Sequence, residues 1–570
     1  MVPEEESVES LMAQFGTTGK YQTRQYILHF FVAFLSGLHM FSLTFIAATP
    51  RHRCYIQELD AGLADNNNVS LFEKEILSRY IPIKADGELD SCHRYSAELP
   101  FDNGSVDAKT TSRLVEQCNG QFVYDTSIYQ QSRVYDFHMV CENKWKRAFI
   151  QSIYVFGVFS GALFCGSLSD RYGRKIVLCG SGILQFVFAI AQPYFTNFVL
   201  YSGSLFFYGM FGSAGAYVTA FVMSMELVHK SNRTYCGVIF NSSFAVGACF
   251  VAIYGYFIRD IWLLQTVYAM HAAVLLGYWF LVDESIRWLW TQKRVEEAVK
   301  IANNAVKLNG GSFSNNYKIP QTHSTVQPQG SKFGLSDLFR LPIMRFRAII
   351  TAFNWFAISL CFYGLAFNME GLTGDPRSSF HPYLVFLILA FADLPGFLLV
   401  ALLFNKTGRR PLNSTLLCIG GVVCIVTTVI PRGMLVRTGL AILAKVILAC
   451  NFAIIYSYTA ELFPTMVRNS ALGLCTMSSR LAGTLVPQIT LLNSIDKSIP
   501  SLVFGGIAVC ASFAFLFLPE TLNKELPQTL EDGENYNKDD TAFNTLCNQT
   551  RDSRKNMQMN SEVHDKMLVE

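Results

Sequence analysis

The stretch Gly166-Ser167-Leu168-Ser169-Asp170-Arg171-Tyr172-Gly173-Arg174-Lys175 decides the fold of this chain of 570 residues. It follows one long apolar run, and a related stretch, Asn405-Lys406-Thr407-Gly408-Arg409-Arg410, follows another apolar run 235 residues later. The same offset relates two further pairs of charged residues: Glu226 with Glu461 and Arg233 with Arg468. A constant offset across separate features indicates a chain made of two similar halves. A membrane protein built in this way usually moves a solute between its halves.

The composition is that of a membrane protein. Hydrophobic residues make up 51% of the chain and charged residues 16%, whereas a soluble chain carries about 25% charged residues. The apolar residues form runs long enough to cross a bilayer, which takes about 20 residues each. These runs predict twelve spans, at 26–48, 148–168, 176–194, 198–226, 235–258, 262–282, 345–367, 382–404, 412–430, 437–460, 469–491 and 499–518. We therefore expect an all-α membrane protein with twelve transmembrane helices in two six-helix bundles.

The spans divide the chain into five segments. These are a cytosolic N-terminus (1–25), an N-terminal six-helix bundle (26–282), a cytosolic linker (283–344), a C-terminal six-helix bundle (345–518) and a cytosolic tail (519–570). Lys and Arg of the short loops gather on one side, which the positive-inside rule assigns to the cytosol. Both termini are expected on that side. The tail is charged and polar, a composition typical of disorder.

The first outside loop, residues 51–147, is unusually long and polar, and such loops translocate regardless of their charge. It holds four cysteines, Cys54, Cys92, Cys118 and Cys141. An even number of cysteines in an oxidising compartment predicts two disulfides, although four cysteines allow three pairings and the sequence does not choose among them. The loop also holds two acceptor motifs for N-glycosylation, at Asn68 and Asn103.

The pattern Gly-x-Leu-x-Asp-Arg-x-Gly-Arg-Lys at 166–175 resembles the signature of the major facilitator superfamily. Further stretches resemble the organic-ion solute carriers, which move organic cations, anions, carnitine and other zwitterions. They are Ala48-Thr49-Pro50 before the cysteine-bearing loop, Trp355-Phe356 leading to Phe362-Tyr363-Gly364, the segment 458–469 and Leu518-Pro519-Glu520-Thr521. The resemblance spans about residues 15–530. It implies a plasma-membrane, multi-pass carrier of small organic ions that works by alternating access.

Within that group the resemblance favours the carnitine branch, and the most similar stretches are 217–222 and 478–483. Arg480 stands where typical organic cation transporters of the group have aspartate. Ser36 and Ala216 stand where the sodium-coupled carnitine carriers have asparagines, so sodium coupling is not implied and the coupling ion is left open. Carnitine-like zwitterions are therefore the first candidate substrates, organic anions the second and simple cations the third.

Ionisable side chains inside spans are costly and need a reason. Five lie well inside: His39, His271, Asp393, Lys445 and Arg480. In one interpretation Asp393 forms a structural ion pair with Lys445 or with Arg480. In the other, Arg480 clamps a substrate carboxylate, because a guanidinium is planar and always charged, and Lys445 supports it or pairs with Asp393. His39 or His271 senses protons or is a hydrogen-bonded packing residue.

Aromatic side chains complete the expected substrate site. The resemblance places five of them at the cavity: Tyr217, Phe244, Trp355, Phe362 and Tyr363. Aromatic faces attract quaternary ammonium groups, so an arginine beside such rings would suit carnitine or a similar betaine. The alternative is that these rings only pack or face lipid, as most of the 47 Phe and 25 Tyr must. Asn241 either hydrogen-bonds substrate or joins two helices.

The charged residues of the junction stretches are expected to form a gate. Asp170, Arg171 and Arg174 would bridge the halves or a helix end in one state and release it in the other. Two symmetric pairs, Glu226 with Arg233 and Glu461 with Arg468, would add to it. The alternative is that the basic residues merely fix the topology.

Other classes of function find little support. The sequence shows no paired carboxylates, metal-ligand cluster, nucleophile motif or phosphate-loop lysine, so we expect no enzyme, no metal and no cofactor. Nothing in it suggests nucleic acid binding. The partners expected are the small organic ion and the lipid bilayer, with the oligomeric state left open. A non-transporting membrane receptor that uses the glycosylated loop is the rival hypothesis.

Overall fold

The computed structural model describes most of the chain. The described residues are 11–12, 16, 19–60, 74–84, 87–96, 115–118, 120–228, 233–311, 335–367, 381–403, 407–430, 435–464, 467–496, 498–522, 524, 527 and 529–536. They are mostly helical, and a helix lies at each expected span. In order these are α1 (Lys20–Ile46), α2 (Lys144–Tyr172), α3 (Arg174–Ala191), α4 (Phe198–Tyr208, Gly209–Ala216 and Tyr217–Leu227), α5 (Arg233–Phe257), α6 (Ile261–Ala272, Ala273–Gly277 and Tyr278–Leu281), α7 (Pro342–Phe367), α8 (Pro382–Phe391 and Asp393–Leu403), α9 (Arg409–Val429), α10 (Leu435–Leu462), α11 (Arg468–Thr490) and α12 (Ile499–Phe515).

Ten helices among the described residues, α1 to α10, are long and apolar enough to cross a membrane. The helix α12 is apolar but has only 17 residues. The helix α11 contains Arg480 and many Ser and Thr residues, and these lower its mean hydropathy. The mostly helical membrane fold is thus confirmed, whereas the count of twelve spans stays a prediction.

The cysteine-bearing loop forms small antiparallel sheets. Its strands are β1 (His52–Cys54), β2 (His93–Tyr95), β3 (Val115–Gln117) and β4 (Phe122–Tyr124), and β1 pairs with β4 and β2 with β3. Its helices are Gln57–Asp60, Lys74–Leu77 and Arg133–Asp136. Of the three pairings that the sequence allows, the structure has Cys54–Cys118 and Cys92–Cys141. That the loop is extracellular stays a prediction, and Asn68 and Asn103 lie outside the described residues.

Short helices also lie in the linker and in the tail. They are Ile286–Thr291, Val295–Leu308, Leu335–Arg340 and Leu530–Asn535. The disorder expected of the tail does not extend to its helix, which begins with a capping box between Thr529 and Asp532. Glu534 accepts hydrogen bonds from the backbone N–H groups of Ile343 and Met344, and so caps the first turn of α7. This capping explains why a polar segment is ordered here.

Two glycines show how closely the N-terminal helices pack. A Cβ atom at Gly37 of α1 would overlap the backbone carbonyl of Phe244 in α5. A Cβ atom at Gly247 of α5 would overlap the carbonyl of Phe34 in α1. Small residues allow the backbones of membrane helices to approach in this way. The contact between α1 and α5 therefore requires glycine on both helices.

The two halves meet near the cysteine-bearing loop, at what we call the loop end. There the Ser152 hydroxyl of α2 donates to the carbonyl of Thr484 in α11 at 2.7 Å, and Gln488 donates to Ser152 at 3.2 Å. Tyr383 of α8 stacks on Phe45 of α1 with ring centroids 4.6 Å apart. Each of these contacts joins a helix of the N-terminal half to a helix of the C-terminal half, and together they close the loop end in this structure.

Candidate functional site

Arg480 lies on α11, and its Nη1 donates to the hydroxyl of Tyr363 at 3.3 Å. Tyr217, Tyr456 and Tyr154 also lie close enough to the guanidinium to sense its charge. These four tyrosines come from α2, α4, α7 and α10, so both halves contribute to the surroundings of one cation. We call Arg480 and the four tyrosines the arginine–tyrosine cluster.

No carboxylate among the described residues forms an ion pair with Arg480. Asp393, the acid that the sequence offers as a partner, pairs with Lys445 instead. Asp393 Oδ1 lies 3.4 Å from Lys445 Nζ, and both side chains are buried. The Lys445 ammonium also lies 3.0 Å from the centroid of the Phe362 ring. Of the two pairings considered for Asp393, the structure thus contains the one with Lys445. Arg480 keeps its charge available to an anionic group.

Trp355 and Phe362 stand behind the cluster. Trp355 is only 1% exposed, its Nε1 donates to the Thr459 hydroxyl at 3.0 Å, and its ring lies 4.3 Å from that of Tyr456. Phe362 packs on Phe452 with centroids 4.9 Å apart. Trp355 is therefore placed to hold Tyr456, a member of the arginine–tyrosine cluster. Sequence reasoning did not single out Tyr456, Phe452 or Tyr154.

The remaining predicted aromatic residues lie on the N-terminal side of the cluster. The Tyr217 hydroxyl donates to Asn241 Oδ1 at 3.4 Å, and the Tyr217 and Phe244 rings lie 6.0 Å apart. Phe41 bridges them to the other half, because its ring lies 6.1 Å from Phe244 and 6.3 Å from Tyr363. Nothing in the sequence distinguishes Phe41 from the other phenylalanines, so it was missed.

His39 lies beside this group and does not contact Arg480 in any described interaction. Its Nδ1 hydrogen-bonds the hydroxyl of Tyr208, and Tyr208 packs on Tyr154 at 5.7 Å. His271 hydrogen-bonds the Tyr254 hydroxyl through Nε2 at 3.0 Å. Both histidines therefore have the partners expected of packing residues, and a role of His39 in binding stays a prediction.

At the other end of the molecule, which we call the junction end, Arg174 makes two ion pairs. Its Nη1 lies 2.5 Å from Asp170 Oδ1, and its Nη2 lies 3.2 Å from Glu226 Oε1. The backbone N–H groups of Arg174 and Lys175 donate to Glu284. Arg171, in contrast, is exposed. All of these contacts lie within the N-terminal half.

The C-terminal half repeats this arrangement. Arg409 Nε lies 3.3 Å from Glu461 Oε2, and the backbone N–H groups of Arg409 and Arg410 donate to Glu520. Each half thus has an arginine held by one glutamate and a helix N-terminus capped by another.

The expected pair of Glu461 with Arg468 does not occur among the described residues of this structure, and its place in a gate stays a prediction. The Glu461 carboxylate is occupied by Arg409 and by the Thr521 hydroxyl at 2.6 Å, while Arg468 Nε donates to the Phe463 carbonyl at 3.4 Å. Glu226 likewise pairs with Arg174, and the side chain of Arg233 lies outside the described residues.

Sequence reasoning also missed the roles of Glu284 and Glu520. Glu520 stands in a stretch that carries the family resemblance, and Glu284 lies 236 residues before it, at almost the repeat offset, which was the signal that could have found both. Burial raises the pKa of the Glu284 carboxyl, and the hydrogen bonds from Ser285, Lys175 and Arg174 oppose this rise. A carboxylate that accepts several backbone N–H groups orders the start of α3.

Comparison with known proteins bears on what the site does. Residues 120–532 match the family model described as "Sugar (and other) transporter". The chain is 30% identical to an organic cation transporter protein of Drosophila melanogaster, over 93% of this chain and 95% of the relative. It is also 30% identical to human solute carrier family 22 member 16, over 92% of each chain. It is 30% identical to solute carrier family 22 member 7 of Bos taurus, over 92% of this chain and 96% of the relative.

Solved structures support the same fold. A D-xylose–proton symporter superposes with a TM-score of 0.55 at 14% identity, over 89% of this chain and 100% of the other. A partially occluded, inward-open form of the xylose transporter XylE from E. coli superposes with a TM-score of 0.53 at 16% identity, over 89% of this chain and 100% of the other. At this level of identity the likeness concerns the fold alone.

Proposed function

The chain belongs to the sugar (and other) transporter family of the major facilitator superfamily and is related to the organic cation and anion transporters of solute carrier family 22, and on this premise we propose that it carries small organic ions bearing a carboxylate. Carnitine-like zwitterions are the first candidates. Organic anions are the second candidates, because the same arginine serves both.

The observation that carries this proposal is the cation at Arg480. A charged group within the bilayer is costly unless it is paired or used. Asp393, the acid that could neutralise it, is paired with Lys445 instead. The Tyr363 hydroxyl accepts a hydrogen bond from Arg480 but brings no charge of its own. A substrate carboxylate would supply the missing charge and accept two parallel N–H bonds from the guanidinium.

The rings around Arg480 support the zwitterion over the simple anion. A trimethylammonium group is attracted to aromatic faces, and the attraction is worth about 2 kcal/mol or more when the cation is desolvated. Tyr217 and Tyr363 lie on opposite sides of the boundary between the halves. A ligand that contacts Arg480 and both tyrosines would therefore link the halves, as alternating access requires.

The two ends of the molecule fit a carrier caught in one state of its cycle. The loop end is closed by contacts between the halves. At the junction end, the ion pairs of Arg174 and Arg409 join residues of the same half. We infer that the junction end is cytosolic, as the basic residues there predict, and that the protein resides in the plasma membrane.

The test is uptake of labelled carnitine, tetraethylammonium and a dicarboxylate in cells that express the chain, each with and without sodium. Uptake of carnitine or the dicarboxylate, saturable and absent from control cells, is the expected result. Uptake of tetraethylammonium alone would overturn the role of Arg480 as a carboxylate clamp. Uptake of none, with the protein present at the surface, would favour the receptor hypothesis.

A further inference from the structure

The fourth helix contains an eight-residue π-helical segment, Gly209–Ala216, between two α-helical pieces. At its end the backbone N–H of Tyr217 donates to the carbonyl of Gly212, five residues earlier. Such hydrogen bonds usually occur as single turns inside α-helices, and frequently at functional sites. Here the segment ends directly before Tyr217, one of the tyrosines of the arginine–tyrosine cluster.

The π-helical geometry sets the direction in which Tyr217 points. A turn closed over five residues holds more of the chain than an α-helical turn closed over four. If the segment became α-helical, its turn would hold one residue fewer. Every later side chain would then rotate about the helix axis by about 100°. The Tyr217 ring would then leave the arginine–tyrosine cluster. The segment therefore determines whether α4 contributes to the site.

The segment is held against α2 by close contacts of small residues. A Cβ atom at Gly209 would overlap the backbone carbonyl of Tyr154, and a Cβ atom at Gly161 of α2 would overlap the carbonyl of Met210. The backbones of α2 and α4 therefore touch where the π-helical segment begins. This contact fixes one end of the segment, while its other end carries Tyr217.

One side-chain hydrogen bond joins the segment to the site directly. The hydroxyls of Tyr154 and Ser213 lie 2.6 Å apart, and both side chains are buried. Tyr154 also lies close enough to Arg480 to sense its charge. Within the helix, the Thr219 hydroxyl donates to the carbonyl of Gly215 at 2.7 Å. Two of the four tyrosines around Arg480 thus depend on the segment, Tyr217 by its place in the chain and Tyr154 by its bond to Ser213.

We propose that Ser213 is a positioning residue for substrate recognition, which holds Tyr154 and the π-helical segment so that Tyr154 and Tyr217 both keep their places in the arginine–tyrosine cluster. Ser213 acts only through the tyrosines. This inference rests on the proposed function, because it assigns Ser213 to the site where the carboxylate is bound.

Kinetics of uptake test the inference with matched variants. Ser213→Ala and Tyr154→Phe each remove one hydroxyl of the same bond. We expect either change to raise KM for a carboxylated substrate about three- to tenfold, in line with the loss of one buried hydrogen bond, with the maximal rate per surface molecule unchanged. The double variant should match the single ones, because the two changes remove one interaction. Ser213→Thr keeps the hydroxyl and should restore KM.

Two control variants remove hydroxyls of the same kind elsewhere. Ser204→Ala removes a hydroxyl of α4 that donates within its own helix to the Tyr201 carbonyl. Tyr268→Phe removes a buried hydroxyl that donates to the Val251 carbonyl. Both controls should leave KM unchanged. Additive effects of Ser213→Ala and Tyr154→Phe, or equal effects of the controls, would overturn the inference.

A second measurement does not need transport. The rate at which a charged thiol reagent labels Tyr217→Cys is compared with and without Ser213→Ala, after subtraction of the labelling of the parent chain. We expect the rate to change at least threefold if Ser213 sets the direction of this position. Equal rates would overturn the inference. If the wild-type chain takes up no substrate, the proposed function fails, and the labelling still decides the role of Ser213.

Discussion

Asp393 and Lys445 form a buried ion pair between α8 and α10, with 3.4 Å between Oδ1 and Nζ. Asp393 is the first residue of the second piece of α8, after a break at Ala392. The ammonium of Lys445 is covered on another side by the Phe362 ring at 3.0 Å. The pair thus links a helix break to Phe362, which stands behind the arginine–tyrosine cluster.

Removal of one partner of this pair should destabilise the C-terminal half. Lys445→Met leaves a buried carboxylate without its cation, and the loss is expected to reach roughly 3–5 kcal/mol. The double variant Asp393→Leu/Lys445→Met removes both charges and should recover most of that loss. Thermal unfolding of the purified protein measures both effects. If the double variant were as unstable as the single one, the ion pair itself would not be what matters.

Replacement of Arg480 should change the substrates rather than the amount of protein at the surface. Arg480→Asp reverses the charge of the arginine–tyrosine cluster, and we expect it to abolish uptake of carboxylated substrates. Arg480→Lys keeps the charge but loses the planar pair of donors, so it should retain weak uptake with KM raised about tenfold or more. Surface biotinylation provides the control. Unchanged uptake by Arg480→Asp would remove Arg480 from the site.

The repeated glutamates at the junction end predict matched variants. Glu284→Gln leaves one side-chain oxygen where a carboxylate now accepts backbone N–H groups of Arg174, Lys175 and Ser285. Glu520→Gln does the same at the start of α9. A carboxylate near a helix N-terminus contributes about 0.3–1 kcal/mol, and more when partly buried. Each variant should therefore lower the midpoint of thermal unfolding.

Glu284 and Glu520 cap equivalent helices of the two halves, and a double variant tests whether they act independently. Because each glutamate serves only its own half, the two effects should add in the double variant. Strong coupling between Glu284→Gln and Glu520→Gln would show that they act on a shared contact.

Much of the architecture follows from the sequence, because burying the backbone in a bilayer forces long apolar helices. The repeat offset also places Arg174 and Arg409 in equivalent positions, and the structure gives both a glutamate partner. The hydropathy pattern gives the depth of a residue and not the direction in which it faces. It therefore could not show that Tyr154, Tyr456 and Phe41 belong to the site.

Partner choice was the other point that the sequence left open. Asp393 had two candidate cations, and Glu461 had an arginine seven residues away. The actual partners depend on which helices touch, and contacts between helices are tertiary. For the same reason the four cysteines were predicted to pair, while the pairing of Cys54 with Cys118 came only from the structure.

The closed loop end contains a titratable group, His381, at the start of α8. Its ring stacks on Tyr383 at 5.1 Å and meets Tyr256 edge-on at 5.8 Å. The guanidinium of Arg259 lies over the same two rings, at 5.5 and 5.6 Å. Burial, and then the charge of Arg259, lower the pKa of His381 below its ordinary value. Closure therefore favours the neutral imidazole.

This arrangement predicts that acid opens the loop end. Because the lowered pKa belongs to the closed state, closure is unaffected at neutral pH and above, and is disfavoured progressively as the pH falls below about 6.5.

An impermeant thiol reagent that labels Ser152→Cys, a position between the halves, reports the opening. The thiolate fraction falls with pH in every variant, so rates are compared with those of Ser152→Cys/His381→Gln at each pH. We expect the rate for Ser152→Cys, divided by the rate for Ser152→Cys/His381→Gln, to rise as the pH falls from 7.5 to 5. His138 is an exposed histidine of the loop, and as a control His138→Gln should leave the rate for Ser152→Cys unchanged at every pH. A ratio that stays constant would mean that His381 does not make the closure of this end sensitive to pH.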